Sequence, residues 1–206
     1  MNAIILMADV IGSSKKDAKH LMKDFKATVE SVNRNYDKSI LSPLTITLGD
    51  EFQGVVKNTH EAVKVILALE DSIMELDKPF KLRYVVHEGK IETSINRNRA
   101  YEMLGPGLTE AREKLDSLKS TRKRFHVSLH DQSLNEQVGL MFTIYQGIAD
   151  RWTKGQLKVV NAFMQLGDYK KVAEKLKKDP SVIWRRKKHL MIDEYNSVKE
   201  LMLKAA

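Results

Sequence analysis

The chain has 206 residues, of which 42% are hydrophobic and 30% are charged, with a formal net charge of +8. This length predicts one large domain, or a medium domain followed by a small one, and the apolar content excludes wholesale disorder. The chain has no cysteine, which excludes a disulfide framework, a thiolate nucleophile and cysteine-ligated metals. Because no signal peptide or membrane span is recognisable either, we expect a cytoplasmic protein.

The first part of the chain alternates between strand-like and helix-like patterns. Strands are predicted at 3–11, 44–48, 52–56, 80–91 and 125–129, and helices at 15–35, 59–76, 108–119 and 135–148. The order β-α-β-β-α-β-α-β predicts an α+β fold of the ferredoxin-like, split βαβ type, with an antiparallel sheet and helices on one face. The basic run 122–124 is typical of a solvated loop.

Two carboxylates lie at the ends of predicted strands. Asp9 ends the first strand and Asp50 lies at the tip of the following hairpin, and these elements are neighbours in a split βαβ sheet. Two such carboxylates suit Mg²⁺ or Mn²⁺, and Gly12, Ser13 and Ser14 lead into a helix whose free N–H groups favour a phosphate. Together they indicate a nucleoside triphosphate site. The alternative is that Asp9 caps a turn and Asp50 is an ordinary turn residue.

Four motifs in this region resemble those of class III nucleotide cyclase catalytic domains. Residues 8–14 and 47–50 resemble the two metal-site motifs, residues 83–89 resemble the strand that carries a His-x-Gly sequence, and residues 101–105 follow in the expected place. Over its whole length, the sequence resembles the SatD family of bacterial proteins. The resemblance implies a cyclase-like domain followed by a helix-turn-helix.

The resemblance also implies roles for particular residues. Asp9 and Asp50 would be metal ligands, with the Ile11 carbonyl as a third candidate, and the amides of 12–14 would face phosphates. Glu102 falls where cyclases carry the acid that reads the purine. Class III cyclases build their site across a dimer, so the resemblance implies a homodimer.

Three positions depart from the cyclase pattern. Ile46 replaces the lysine that reads the base, Thr109 replaces the asparagine that orients the sugar, and Glu113 replaces the arginine of the transition state. Arg112 is one residue away and is expected to face elsewhere, about 100° round the helix. Since losing a positioned cation costs orders of magnitude in phosphoryl transfer, we expect nucleotide and metal binding with little or no turnover. The alternative is an active cyclase or another metal-dependent phosphoryl-transfer enzyme.

The last quarter of the chain carries all the excess positive charge. Residues 1–150 contain 21 Lys and Arg and 21 Asp and Glu, whereas residues 151–206 contain 14 and 6. We therefore predict two domains, 1–150 and 151–206. A basic segment of this kind usually binds nucleic acid, and a solvated helical surface is the alternative.

This basic segment has helix-turn-helix character. Helices are predicted at 154–166, 169–178 and 180–204, and Lys177 stands where a turn glycine is usual. The residues expected to face DNA bases are Ser181, Trp184, Arg185 and Lys188. Those expected to contact phosphates are Arg186, Lys187, Lys170 and Lys171. Together with the cyclase-like domain, they predict a DNA-binding, transcription-regulatory protein with a nucleotide ligand. The alternatives are a helical hairpin for dimerisation, with Trp184 in the interface, and an interaction protein that binds neither ligand.

Overall fold

The computed structural model describes residues 1–13, 18–47 and 49–206. These residues form two compact units, one of residues 1–140 with residues 205–206 and one of residues 141–204. The division falls within a helix that runs to Ala149, ahead of the domain boundary predicted at residue 150. Among the described residues, no helix combines the length and the apolar character needed to cross a membrane.

The first unit is built on a mixed sheet. Its elements are β1 (Asn2–Val10), α1 (Ala18–Asn35), a short 3-10 turn (Asp37–Ser39), β2 (Ile40–Ile46), β3 (Glu51–Val56), α2 (Thr59–Met74), β4 (Leu82–Lys90), α3 (Pro106–Leu118), β5 (Phe125–Ser128) and the start of α4 (Gln132–Ala149). The strand order is β2-β3-β1-β4-β5, and the first four strands are antiparallel to their neighbours, as a split βαβ unit requires. β5 is parallel to β4, so the prediction of a fully antiparallel sheet is wrong. The reason is that α3 makes a crossover between the two strands.

Helices cover both faces of this sheet. Residues paired directly across an antiparallel ladder share a face, which places Ala8 and Phe52 on one side, where Phe25 of α1 stacks on Phe52 with ring centroids 6.2 Å apart. On the opposite face Met7 packs in one buried cluster with Leu115 of α3. The prediction that all helices share one face is therefore wrong.

The start of α3 is fixed on β4 by a backbone contact. A Cβ atom added to Gly107 would lie 2.6 Å from the carbonyl carbon of Gly89, and one added to Gly89 would lie 2.5 Å from the Gly107 Cα. Only glycine permits this approach on both sides. The contact holds α3 across the sheet face that carries the acidic side chains described below.

The predicted solvated loop at 122–124 contains a buried side chain. Arg124 is 3% exposed, and its guanidinium donates hydrogen bonds to the Glu70 carboxylate at 3.0 and 2.7 Å. The Tyr84 hydroxyl donates to the same carboxylate at 3.0 Å, and burial, followed by the charge of Glu70, raises the pKa of Tyr84 well above its ordinary value. The loop prediction is wrong for Arg124 because a buried carboxylate on α2 requires a counter-charge.

The second unit is helical. Besides the end of α4 it contains α5 (Lys154–Leu166), α6 (Tyr169–Leu176), α7 (Pro180–His189) and α8 (Ile192–Ala205). Asp168 caps α6, and Asp179 caps α7 by accepting from the Ser181 amide at 2.7 Å. The predicted helix 180–204 is two helices, because Met191 adopts a left-handed conformation between them (φ 55°).

Candidate functional site

Two buried carboxylates lie side by side on the α3 face of the sheet. Asp9 and Glu51 are paired residues of β1 and β3 and are 4% and 6% exposed. The Arg83 guanidinium lies 3.2 Å from Asp9, and the Lys119 ammonium lies 3.9 Å from Asp9 and 3.6 Å from Glu51. Arg112 donates a hydrogen bond to Glu51. We call Asp9, Glu51, Arg83, Arg112 and Lys119 the ion-pair cluster.

The electrostatics of the cluster follow from its burial. Burial raises the pKa of Asp9 above its ordinary value, and this effect outweighs the opposing charge and hydrogen bond of Arg83. The pKa of Lys119 is raised, first by its hydrogen bond to Asp116 and also by the charges of Glu51 and Asp9. Burial and the neighbouring cations therefore act on Asp9 in opposite directions, and burial is the larger effect.

Asp50 contacts the loop that follows β1. Its carboxylate accepts a hydrogen bond from the Ser13 hydroxyl at 2.5 Å, and its backbone carbonyl accepts from the Val10 amide at 2.9 Å. Gly12 is exposed and has a left-handed φ of 68°, the Ile11 amide donates to the Lys81 carbonyl at 2.9 Å, and Ser14 lies outside the described residues. The structure thus brings Ser13 to Asp50.

Glu51 is the residue that sequence reasoning missed. The signal was available, since Gly49 and Asp50 form the turn and the strand after it begins at residue 51. In an antiparallel pair, the first residue of that strand stands opposite the last positions of β1. Glu51 rather than Asp50 is therefore the ladder partner of Asp9.

The ion-pair cluster does not fit the metal ion that the cyclase resemblance implies. A divalent cation needs free carboxylate oxygens, whereas those of Asp9 and Glu51 contact the guanidinium and ammonium groups of Arg83, Arg112 and Lys119. Those three positive charges would also repel a metal ion.

Glu102 and Ile46, which stand at the base-reading positions of the cyclase pattern, lie on or close to β2. Glu102 is exposed and forms an ion pair of 2.8 Å with Arg99. The neighbouring Tyr101 donates from its hydroxyl to the Ile46 carbonyl at 2.9 Å, which brings this loop onto β2. Ile46 is the ladder partner of Phe52, so its side chain points to the face opposite Asp9.

On α3, Thr109 and Glu113 stand where cyclases carry site residues, and Arg112 is the neighbour of Glu113. The direction of the Arg112 side chain differs from the prediction. Thr109 and Glu113 are exposed. Arg112, which the sequence predicts to face elsewhere, bonds to Glu51 in the ion-pair cluster. The reason is that the buried ridge of Ala111 and Leu115 turns the adjacent residue towards the sheet.

His87 belongs to the strand motif that resembles the His-x-Gly strand of cyclases, and its side chain is buried. It is 4% exposed, and its Nε2 lies 2.8 Å from a carboxylate oxygen of Glu110. Burial lowers the pKa of His87, although the hydrogen bond to Glu110 acts in the opposite direction. The neutral imidazole is the favoured form in this position.

In the second unit, the exposed side of α7 contains the predicted base-contacting residues. Ser181, Trp184, Arg185 and Lys188 are exposed, Trp184 to 49%, while Ile183 is buried on the other side of the helix. Lys170 and Lys171, in the first turn of α6, are exposed as well.

The predicted phosphate contacts on α7 are not equivalent. Lys187 lies 2.6 Å from Asp193, and Lys188, a predicted base contact, lies 3.2 Å from the same carboxylate. Arg186 lines a cleft towards α5. The structure therefore groups Arg185 and Trp184 on the outer side of α7 and separates Arg186 from them.

The chain is similar to one protein family and to several solved structures. The family model described as SatD family matches residues 3–202. Similar solved structures include a bacterial light-regulated adenylyl cyclase, at 11% identity and a TM-score of 0.46 over 61% of this chain and 74% of that chain. Another is the catalytic core of a rhodopsin-guanylyl cyclase with converted specificity in complex with ATPalphaS, at 18% identity and a TM-score of 0.39 over 61% and 76%. Because these identities and TM-scores are low, we draw no conclusion from the two structures. No curated protein matches the sequence.

Proposed function

The chain belongs to the SatD family, and on this premise we propose that it is a DNA-binding, transcription-regulatory protein whose α7 enters the major groove. The observation that carries the proposal is the outer side of α7. It presents Trp184, Arg185 and Lys188 at helical spacing, exposed to solvent, on a helix whose opposite side is anchored by the buried Ile183. Cationic and planar side chains in this arrangement suit base edges and phosphates.

The connection between α6 and α7 supports the same proposal. Ala173 on α6 and Ile183 on α7 are both buried, as expected where two helices of a helix-turn-helix pack together. Lys177 adopts a left-handed conformation, with φ 52° and ψ 50°, at the position where the motif usually has glycine. A homodimer, which the cyclase resemblance implies, would need its two α7 helices about 34 Å apart, one turn of DNA, to bind two half-sites.

Replacing both Arg185 and Lys188 with alanine is expected to weaken DNA binding at least about 30-fold, because each removes a contact worth about 1–3 kcal/mol. The measurement is an electrophoretic shift on genomic fragments at two salt concentrations. The wild-type affinity should fall steeply with salt, because phosphate contacts release counterions.

The matched control removes two positive charges elsewhere in the same unit. Lys158 and Lys204 are exposed, and alanine at both changes the net charge equally without touching α7. We expect a much smaller loss of affinity from this variant. No shift at low salt, or equal losses from the two double variants, would contradict the proposal.

We also propose that the first unit binds a nucleotide on the sheet face of the ion-pair cluster, as a sensor with little or no turnover. Support comes from the loop of Tyr101 and Glu102, which lies on β2, and from Arg112 and Lys119, whose side chains are 31% and 44% exposed and could meet phosphates. Because the cluster does not fit a metal ion, no metal is part of this proposal. The alternative is an active nucleotide cyclase.

Incubation with ATP or GTP and Mn²⁺ is expected to yield no cyclic product. The reason is that Thr109 and Glu113 replace the asparagine and the arginine of the cyclase pattern, so neither position supplies a cation for the transition state. Chromatography of the nucleotides provides the measurement, with Asp9→Asn as the control. Cyclic product that disappears in Asp9→Asn would establish the cyclase alternative.

A further inference from the structure

A cleft in the second unit adjoins the inner side of α7. It consists of two adjacent cavities of about 130 and 260 Å³, which share Gln156, His189 and Leu190. Trp152 and Arg151 line the smaller cavity. The larger one approaches the size of small-molecule sites, which begin at about 300 Å³.

Basic groups line this cleft without acidic partners. Arg151 and Arg186 are exposed, and within the part of the chain that the structure describes neither guanidinium forms a hydrogen bond or an ion pair. Asp193, the acidic residue that follows α7, forms ion pairs with Lys187 and Lys188. The guanidinium groups of Arg151 and Arg186 therefore add positive charge to this concave surface, and His189 adds an imidazole.

The floor of the same cleft is apolar and rigid. Trp152 donates from its indole N–H to the Leu190 carbonyl at 3.0 Å and packs edge-on against Tyr195, with ring centroids 4.7 Å apart. Trp152 and Leu190 are 8% and 4% exposed. The cleft thus combines a fixed apolar surface with two guanidinium groups, which bind phosphate oxygens in bidentate fashion.

We propose that this cleft binds a small organic phosphate, with the phosphate on Arg151, Arg186 and His189 and the apolar portion against Trp152 and Leu190. The site is separate from the DNA-facing side of α7 and does not depend on the proposed DNA binding. A bound ligand would contact α7 through Arg186 and His189, on the flank between the buried side of the helix and Arg185.

Phenyl phosphate is a suitable probe, because it carries one phosphate and one apolar ring. The full chain with Trp184→Phe leaves Trp152 as its single tryptophan, since the sequence contains two. We expect a saturable change in Trp152 fluorescence on titration with phenyl phosphate. Inorganic phosphate and phenol, which each carry half of the recognised chemistry, should bind at least about tenfold more weakly, as the loss of one charged or apolar contact predicts.

Two variants test the site by different means. Arg151→Ala with Arg186→Ala removes its charge, and Gly155→Leu fills it without changing charge, because a Cβ at Gly155 in the cleft lining points into open space. Each should weaken phenyl phosphate binding at least about tenfold, with the thermal unfolding midpoint measured to verify folding. Lys158→Ala, which alters an exposed lysine of α5 outside the cleft lining, should bind as wild type.

Three results would overturn the proposal. One is a response to phenyl phosphate that does not saturate, and another is equal binding by the wild type and folded Gly155→Leu. The third is a combination of two results: the wild type does not bind phenyl phosphate, and Arg186→Ala loses DNA binding. Arg186 would then contact the DNA backbone instead of a small phosphate. Failure of the DNA-binding proposal alone would leave the fluorescence titration unchanged.

Discussion

Replacing Arg124 with alanine is expected to lower the free energy of unfolding by about 3–5 kcal/mol, because it leaves a buried carboxylate without its counter-charge. Arg124 is 3% exposed and Glu70 is 6% exposed, and the two share a bidentate hydrogen bond. The Tyr84 hydroxyl also donates to Glu70. Urea denaturation followed by circular dichroism measures the loss.

Lys123→Ala is the matched control, since Lys123 is the exposed neighbour in the same loop and should change stability by no more than about 0.5 kcal/mol. A second test replaces both charged partners, with Glu70→Leu and Arg124→Met. This pair should be less destabilising than Arg124→Ala, because no buried charge remains. Equal stability of Arg124→Ala and Lys123→Ala would show that the buried pair of Arg124 and Glu70 does not stabilise the fold.

Gly107→Ala is expected to destabilise the first unit by about 2–3 kcal/mol, because the new Cβ forces α3 away from β4. That atom would lie 2.6 Å from the carbonyl carbon of Gly89 and 2.8 Å from the Lys90 amide nitrogen. Backbone atoms cannot rotate away as a flexible side chain can, so the helix itself must shift. The thermal unfolding midpoint measures the effect.

Gly139→Ala provides the control for this substitution. Gly139 lies within α4, where an added Cβ meets nothing within 4 Å, so alanine should stabilise the helix by about 0.5–1 kcal/mol. The two substitutions are chemically identical and should have opposite signs. A neutral Gly107→Ala would contradict the backbone contact described between α3 and β4.

The sequence predicted where the strands and helices lie more reliably than which of them pair or pack together. The apolar runs of β1 and β3 and the apolar alternation of β2 and β4 are local signals, and the structure confirms strands in these parts of the sequence. The prediction of a single helix over 180–204 was wrong because a break at one left-handed residue, Met191, leaves the apolar pattern on either side intact. The parallel pairing of β5 and the position of α3 were also missed, because both depend on contacts between distant residues.

In the candidate site, the sequence identified one residue but not the residues that contact it. The sequence identified Asp9 as a carboxylate at the end of β1, but Glu51, Arg83 and Lys119 were not singled out. Each of these three comes from a different element, and only the ladder register and the packing of α3 bring them to Asp9. The same packing turns Arg112 towards Glu51.

The sequence alone determined that positive charge is concentrated in residues 151–206 and that this part is helical, since charge and helical periodicity are properties of neighbouring residues. It also identified the family, because the motifs that carry the resemblance are continuous in sequence. Only the tertiary structure decided that Arg83 and Lys119 pair with Asp9 and that Arg186 faces a cleft rather than the outer side of α7. The physical reason is that an ion pair or a cleft depends on distances across the fold, which local patterns do not encode.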